Sequence, residues 1–456
     1  MTRVGSISIF AGFLGLWLSP AARAEPAAAI ALPAPCASAD DTLTGNWGGR
    51  RDTIASQYGI TFCVQEQSEV FGNLRGGLRR GATYDGLTTA SLKVDNIGGL
   101  NGTSVYVSLL QIHGRGPTAN LVGNLQTITN TEATRSTKLY GLWIEQSLLG
   151  GDLTVRIGQE SAADELMVVK SAGTFINSSF GFPALMALNL PSGAPSYPLA
   201  ALMVRLQYKL NDRFTVTGAA FDGDPAGPGF GDPQLRDRTG TVFRLRDGVL
   251  TFLELTYTAG SDGADGRPGT YKLGGWYHSG QFNDPVRDTT GQSLASPGSN
   301  GIPRQLRGNR GIYVSIDQTV WRPAGDKDRG INVFALAMAA PDDRNFSSFF
   351  MEGGVAWTGP FEGREKDVAG LAFAYTNLSS AQRALGGDLV RYGAATSAFR
   401  GHETVVELTY QYWVMPGLTL QPDLQYVINP GAGLPNATNT PLKNALVAGM
   451  RATLVF

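Results

Sequence analysis

Apolar and polar residues alternate with a period of two along most of the chain, in segments of about ten residues that begin near residue 61. In the run from Leu153 to Gly158, Leu, Val and Ile occupy one parity and Thr, Arg and Gly the other. The same alternation recurs over residues 204–210, 406–412 and 418–426. Helical periodicity is scarce, and the segments exceed the usual strand length of about 5–6 residues. The pattern therefore predicts long antiparallel strands.

The connections between these segments come in two lengths. Short turns are expected at three places: Gly150-Gly151, residues 211–213 and residues 415–417. Stretches rich in Gly, Pro and Asp are expected to form long outer loops: 222–240, 260–270, 283–310 and 429–441. Short turns alternating with long loops are typical of bacterial outer-membrane barrels. At about 24 residues per strand and connection, the chain predicts an all-β, transmembrane antiparallel β-barrel of about 16 strands, with 18 as the next choice.

Two of the turns predict the strand register. A two-residue turn at Gly150-Gly151 pairs Glu145 with Arg156, and a three-residue turn further on places Tyr412 opposite Leu420. An arginine that faces lipid at the bilayer midplane costs about 2–4 kcal/mol. The parity that carries Arg156 is therefore predicted to face a water-filled lumen, and the opposite parity to face lipid.

The first residues predict export. Arg3 precedes a short apolar run, and Ala22-Arg23-Ala24 has the form of a signal-peptidase site. Residues 1–24 are therefore expected to be a cleaved secretory signal. No later run of about 18 apolar residues could span a membrane as a helix. The expected location is the bacterial outer membrane.

The segment that follows the signal differs from the barrel that is predicted over residues 61–456. Residues 25–60 are expected to form a periplasmic lead-in with a short helix, which Asn46 would cap and Gly59 would end. Cys36 and Cys63 are the only cysteines in the sequence. A disulfide between them is predicted because the compartment is oxidising, and two unpaired thiols are the alternative.

Composition and charge exclude several classes of function. Lys and Arg number 37 and Asp and Glu number 38, so the formal net charge is −1 and nucleic acid is not an expected partner. The 59 glycines suit turns, long loops and strand positions that leave room for a channel. The three histidines show no metal-ligand spacing, and no G-x-S-x-G motif appears. Neither a cofactor nor an enzymatic activity is predicted.

Several motifs occur in the order found in a known family. They cover most of residues 43–222 and comprise Leu43–Arg51 with Tyr58–Ile60, Gly141–Gln146, Val155–Gln159, Phe175–Gly181 and Tyr197-Pro198. Together they resemble the carbohydrate-selective porin family of the OprB type. The resemblance implies an outer-membrane barrel through which glucose and related sugars diffuse passively. Where that family often carries an Asp after its Arg-x-Gly stretch, this chain has Gln159-Glu160.

Sugar passage requires weak contacts in series, from aromatic faces to ring C–H groups and from polar groups to hydroxyls. Trp143, Glu145 and Arg156 share the predicted wet parity and form the candidate sugar-contact site, with a bracing salt bridge in the wall as the alternative interpretation. Further candidates along the lumen are Arg205, Gln207, Glu254 and Arg75. Three other tryptophans are expected in the interfacial belt: Trp276, Trp357 and Trp413.

Three functions from different classes remain open on the sequence. A porin for monosaccharides such as glucose is the leading hypothesis, and a general or anion-preferring porin is the second. A non-transporting adhesin or lipase is the third. The expected partners are sugars in transit and outer-membrane lipid, and the chain is expected to be a monomer or a homotrimer.

Overall fold

The computed structural model describes residues 39–260, 266–393, 398–434 and 441–456. Within these residues, sixteen strands form one closed barrel in which each strand pairs antiparallel with its neighbours in the sequence and β1 closes on β16. Their bounds are β1 Ile60–Gly77, β2 Gly81–Asp95, β3 Thr103–Gly114, β4 Ser136–Leu148, β5 Leu153–Glu160, β6 Ala201–Lys209, β7 Phe214–Asp222, β8 Val249–Ala259, β9 Gly269–Asp288, β10 Pro303–Trp321, β11 Gly330–Ala339, β12 Ser347–Thr358, β13 Val368–Leu378, β14 His402–Met415, β15 Leu418–Ile428 and β16 Lys443–Val455. The predicted fold is confirmed.

Both predicted registers are confirmed. Glu145 lies opposite Arg156 in the β4–β5 pair, and Tyr412 lies opposite Leu420 in the β14–β15 pair. Alternation along the strands separates two faces, since Ile157 is 56% exposed on the outside whereas Arg156 has no exposed surface on the inside. The period of two therefore decides which side chains meet lipid and which meet the lumen.

The connections alternate between two ends of the barrel. One end, called the turn end, carries the N-terminal helix α1 (Arg50–Tyr58) and the final residue of β16; the other is called the loop end. Three long connections at the loop end lie outside the loops expected from composition: residues 115–135, 161–200 and 379–401. They contain α2 (Ala184–Asn189) and α4 (Ser380–Arg391), while α3 (Pro233–Arg236) lies in the connection between β7 and β8.

Of the expected outer loops, 260–270 is wrong and 283–310 is shorter than expected. The stretch 260–270 joins β8 to β9 and therefore falls at the turn end, because each strand reverses direction and end assignments alternate along the chain. Much of 283–310 is strand, since Asn283 of β9 pairs with Gln305 of β10. Gly and Pro enrichment did not distinguish a loop from strand ends that contain these residues.

Helix α1 is fastened to the base of the barrel. It ends at Gly59, whose φ of 67° is the left-handed conformation that glycine adopts without strain. Its N-cap residue is Gly49 and not Asn46, although the Asn46 side chain accepts a hydrogen bond from the Asp52 amide at 3.2 Å. The Arg51 guanidinium donates to the Phe62 carbonyl of β1 at 3.1 Å. Among the described residues, none of the helices is long and apolar enough to cross a membrane.

Candidate functional site

Two loop-end connections fold into the barrel and narrow its lumen. Residues 161–200, called the inner loop, bury Phe175, Phe180 and Leu185 against inward side chains of the wall such as Phe334. Residues 115–135, called the second loop, bury Val122 and Ile128 against a neighbouring sector of the wall. The largest apolar core of the protein thus lies inside the barrel, between the loops and the strands.

Two arginines lie directly opposite each other where the inner loop meets the wall. Arg156 of β5 pairs with Arg205 of β6, and like charges in that position repel. Three carboxylates surround them: Glu145 of β4, Glu160 at the end of β5 and Glu165 of the inner loop. These five residues are called the charged cluster.

Each carboxylate of the charged cluster contacts an arginine. Arg156 donates from Nε to Glu145 at 3.1 Å and from Nη1 to both oxygens of Glu160 at 2.8 and 2.7 Å. It also pairs with Glu165, and Arg205 pairs with Glu145 and, at 3.2 Å, with Glu165. With three carboxylates for two guanidinium groups, the cluster carries a formal charge of −1, and it ties the inner loop to the wall by ion pairs.

An aromatic and cationic row runs across the wall beside the charged cluster. Lys93 of β2 lies opposite Tyr106 of β3, which lies opposite Trp143 of β4. The rings of Tyr106 and Trp143 stack at 5.0 Å between centroids, and the Arg156 guanidinium carbon lies 4.0 Å from the Trp143 ring centroid. The next residue in the row is Gly158, where a Cβ would lie 2.6 Å from the Cβ of Trp143. A side chain at residue 158 would therefore crowd Trp143.

A cavity of about 730 Å³ separates the two inward loops from strands β2 to β4. Tyr106 and Trp143 supply aromatic surface to its lining, and the charged residues that line it are Lys93, Glu132, Glu160, Asp164 and Glu165. Arg156 and Arg205 do not line this cavity; they lie behind the carboxylates that do. The cavity therefore presents an aromatic surface beside an excess of carboxyl groups.

Carboxylates on the wall opposite the charged cluster accept hydrogen bonds from backbone amides of the second loop and of the inner loop. Glu403 and Glu407 of β14 accept hydrogen bonds from two consecutive amides each, those of residues 125–126 at 2.8 Å and those of residues 176–177 at 2.6 and 2.9 Å. On the other side, Glu254 accepts from the Met167 amide at 3.0 Å. These contacts are called the backbone latches.

The remaining predicted lumen residues fall in different places. Glu254 is buried beneath the inner loop and also accepts hydrogen bonds from the Tyr313 hydroxyl at 2.8 Å and from Lys272 at 3.1 Å. Gln207 is half-buried next along β6 from Arg205, and its amide donates to Thr217 at 3.4 Å. Arg75 is exposed near the loop end of β1, outside the charged cluster.

The structure bears on the expected Cys36–Cys63 disulfide and on the expected belt of tryptophans in different ways. Cys63 is buried in β1, whereas Cys36 lies outside the described residues, so the disulfide stays a prediction.

Trp357 is exposed on the outer face, as expected of a belt residue. The belt assignment of Trp276 is wrong: its side chain is buried inside the barrel, because outward Leu273 and Tyr277 flank it on the other parity. Trp413 shares the inward parity and lies under the Lys366 ammonium at 4.5 Å.

The histidines of the described residues form no group that could hold a metal ion. His113 has one ring nitrogen 3.2 Å from Glu66 and the other 3.4 Å from the Tyr84 hydroxyl. Neither of these contacts is to a serine hydroxyl, which a Ser–His hydrolase would need.

Comparison with known proteins identifies the family. The model of the carbohydrate-selective porin family, OprB, matches residues 79–456. The chain belongs to this family. Porin B of Pseudomonas aeruginosa is 25% identical over 445 residues, which cover 91% of each chain. The resemblance expected from the sequence motifs is confirmed.

Solved structures agree on the fold. The high-pH structure of Pseudomonas putida OprB superposes with a TM-score of 0.81 at 21% identity, covering 92% of this chain and 99% of that chain. The low-pH structure of the same protein gives a TM-score of 0.55 at 19% identity, covering 92% and 100%. As a member of the OprB family, the chain is an outer-membrane channel for carbohydrates, and its fold and family indicate a channel rather than an enzyme.

Sequence reasoning missed several residues of the cavity, among them Lys93, Tyr106 and Glu165. Lys93 and Tyr106 lie on the inward parity of β2 and β3, and extending the cross-strand pairing beyond β4 would have found them. Glu165 follows no strand periodicity, because it lies in the inner loop. The sequence offered no sign that this loop turns inward.

Proposed function

We propose that this porin passes monosaccharides such as glucose by passive diffusion, and that its selectivity site is the cavity between the aromatic row and the charged cluster. The observation that carries the proposal is the juxtaposition of the Tyr106 ring, on which Trp143 stacks, with Glu160 and Glu165 in one lining. Aromatic faces suit the C–H surface of a sugar ring, and carboxylates accept hydrogen bonds from its hydroxyls.

The contacts of this site suit passage better than tight binding. Glu160 and Glu165 already accept hydrogen bonds from Arg156, so a sugar would share their oxygens with a guanidinium and would bind weakly. Arg156 then acts as a positioning residue, which fixes the carboxylates without touching the sugar. Because it has no exposed surface, it replaces no part of the sugar's hydration shell.

A general or anion-preferring porin is the second candidate, and the charges of the lining argue against anion preference. Lys93 is the one cation among the lining residues, against four carboxyl groups: Glu132, Glu160, Asp164 and Glu165. Such a lining attracts cations and repels organic acids. Neutral sugars, unlike organic anions, contact this lining without electrostatic repulsion.

Liposome swelling across a panel of sugars and organic acids of similar size tests the proposal. We expect glucose and other monosaccharides to enter fastest and disaccharides and organic acids to enter slowly. In planar bilayers, glucose should reduce the ion current in a concentration-dependent way. Equal swelling rates for sugars and acids, with no block by glucose, would show a general porin instead.

We also propose that export removes residues 1–24, which lie outside the described residues. The motif at Ala22-Arg23-Ala24 supports cleavage after Ala24. The lead-in 25–60 would then begin the mature protein, ahead of the barrel at 61–456. Sequencing of the purified outer-membrane protein should read Glu25 as the first residue, and an intact Met1 would contradict the cleavage.

A further inference from the structure

The arginines in the wall of this barrel take two different positions. Arg156, Arg205 and Arg451 face the lumen, and each of them pairs with a wall carboxylate. Arg307 and Arg310 of β10 are instead exposed near the loop end of their strand. Among the described residues, no side chain forms an ion pair or a hydrogen bond with either of these two guanidinium groups. Their charges are therefore free to meet a ligand.

An irregularity in the β9–β10 pairing turns both arginines towards the outer wall. In a regular strand, residues three positions apart face opposite sides. Here the register shifts directly after Arg307, so Arg310 lies opposite Tyr277 and Arg307 lies opposite Gln281. Tyr277 and Gln281 share the outward parity of β9, and both are exposed. These four residues are called the outer arginine patch.

The connection between β11 and β12 holds this irregularity in place. Arg344 donates from Nη1 to the carbonyl groups of residues 307 and 308, at 2.9 and 2.7 Å. The carboxylates of the flanking segments are already paired, Asp343 with Arg344 at 2.8 Å and Asp284 with Arg304 at 2.6 Å. These carboxylates therefore leave the charge of the outer arginine patch uncompensated.

The outer arginine patch lies at the border of the apolar band. From the patch towards the turn end, the outward residues of β9 and β10 are exposed and apolar: Leu273, Ile312 and Val314. Tyr277 lies between this apolar surface and Gln281, which is the position of an aromatic girdle residue. The long loops of outer-membrane barrels face the outside of the cell. The patch therefore lies at the level of the head groups of the outer leaflet.

We propose that the outer arginine patch binds a phosphate group of lipid A, the phosphorylated glycolipid that anchors lipopolysaccharide in the outer leaflet. A guanidinium group donates two parallel hydrogen bonds to a phosphate, which makes arginine well suited to this ligand. The Tyr277 hydroxyl and the Gln281 amide are further donors for the sugar oxygens of the same lipid. The acyl chains then lie on the apolar surface of β9 and β10. A free phosphate would use the arginines alone, whereas a phosphorylated lipid matches both the charge and the apolar surface.

Lipid binding by the purified full-length porin tests the patch independently of sugar passage. Native mass spectrometry of the barrel in detergent measures the fraction that carries diphosphoryl lipid A over a series of lipid concentrations. We expect Arg307→Gln and Arg310→Gln each to raise the dissociation constant about fivefold, as is typical of one basic side chain at an anionic lipid surface, and the double variant to raise it further. Arg213→Gln is the matched control, because it removes an exposed arginine at the turn end, and it should leave the dissociation constant unchanged.

Two measurements on the wild-type barrel separate a lipid site from a general anion site. Lipid A from which the phosphates have been removed should bind as weakly as diphosphoryl lipid A binds to the double variant. Inorganic phosphate in excess should not displace the bound lipid. Both measurements decide the proposal even if the double variant does not fold, which heat-modifiable migration on gels would show.

Four outcomes would overturn the proposal. They are unchanged lipid binding in the folded double variant, an equal loss of binding in Arg213→Gln, binding that does not depend on the phosphates of the lipid, and displacement of the lipid by inorganic phosphate.

Discussion

The inward loops are held by two sides of the barrel in two different ways. At β4 to β6 the charged cluster joins loop side chain to wall side chain, through Glu165 and the two arginines. At β14 the backbone latches join wall carboxylates to loop amides, with no loop side chain needed in the contacts of Glu407 with residues 176 and 177. The first attachment depends on a particular loop residue, whereas the second depends only on the path of the loop.

The two attachments differ in whether they face the solute. The charged cluster lies at the cavity, whereas the latches at β14 only fix the inward loops in place. The charged cluster exposes Glu160 and Glu165 to the cavity, so it positions groups that a sugar would meet. Glu403 and Glu407 are buried and do not line the cavity. Changes in the charged cluster should therefore alter solute passage, and changes in the latches should alter the motion of the loop.

Removal of Arg156 should have the largest effect. Arg156→Ala leaves buried Glu160 and half-buried Glu145 and Glu165 with one arginine, and breaking a buried pair costs about 3–5 kcal/mol. We expect the inner loop to leave the wall, so that the single-channel conductance rises and glucose no longer blocks the current. Arg156→Lys is the matched control, because it keeps the charge and loses the forked geometry, and it should give an intermediate conductance. If Arg156→Ala conducts and is blocked like the wild type, the cluster does not hold the loop.

Glu403→Ala should have a smaller effect, and one of a different kind. It removes the acceptor for the amides of Leu125, Gln126 and Gly431, and each unsatisfied buried group costs about 1–3 kcal/mol. We expect faster hydrogen exchange at residues 125 and 126 and more current noise, with the affinity for glucose unchanged. Glu403→Gln keeps one carbonyl acceptor and should exchange at an intermediate rate. Loss of glucose block in a channel that is otherwise intact would remove the distinction between latch and cluster.

The sequence predicts the wall of this porin well and its loops poorly, for a physical reason. Strand alternation and turn length are local, so Glu145 and Arg156 could be paired across a separation of only eleven positions. The loop anchors are not local: Asn177 contacts Glu407 across 230 positions, and Met167 contacts Glu254 across 87. A wall carboxylate that accepts a hydrogen bond from a backbone amide requires no particular residue type in the loop. The loop sequence therefore gives no indication of such a contact.

The belt assignment of Trp276 failed although the information was present. Leu273 and Tyr277 occupy the opposite parity to Trp276, and consistent use of alternation would have turned the indole inward. Tryptophan as a residue type favours the interfacial belt, but the parity of position 276 places the indole inside the barrel. The same alternation places Glu66 on the outer wall of the barrel.

Trp143→Ala should weaken the block of the ion current by glucose without releasing the inner loop. Arg156→Ala, in contrast, should release that loop. The indole lies between Tyr106 and Arg156, and a cation–π contact of this kind contributes about 0.5–2 kcal/mol. We expect weaker glucose block in planar bilayers and only a small rise in conductance. Trp143→Phe keeps an aromatic face and should retain most of the block. Unchanged block in Trp143→Ala would exclude the aromatic row from the sugar path.

Glu132 of the second loop should give the smallest effect, a shift of ion selectivity with pH. Burial raises the pKa of Glu132 to about 7. The hydrogen bonds that its carboxyl oxygens accept from the Thr118 amide, at 3.0 and 3.2 Å, lower the pKa and offset part of this rise. A raised carboxyl pKa means that the neutral form is favoured in the folded protein, so the stability that this group contributes is lost as the pH rises through about 7. Over the same range its ionisation adds one negative charge to the cavity lining.

The preference for cations over anions should therefore rise between about pH 6 and about pH 8, as measured by reversal potentials in a salt gradient. Glu132→Gln removes the titrating group and keeps an acceptor for the Thr118 amide, so it should flatten this rise. Arg244 and Asp247, which pair outside the cavity, offer a control, since Asp247→Asn should leave the rise in place. A wild-type selectivity that stays constant over this range would show that Glu132 does not ionise within the solute path. The charge of Glu132 would then stay fixed over this range.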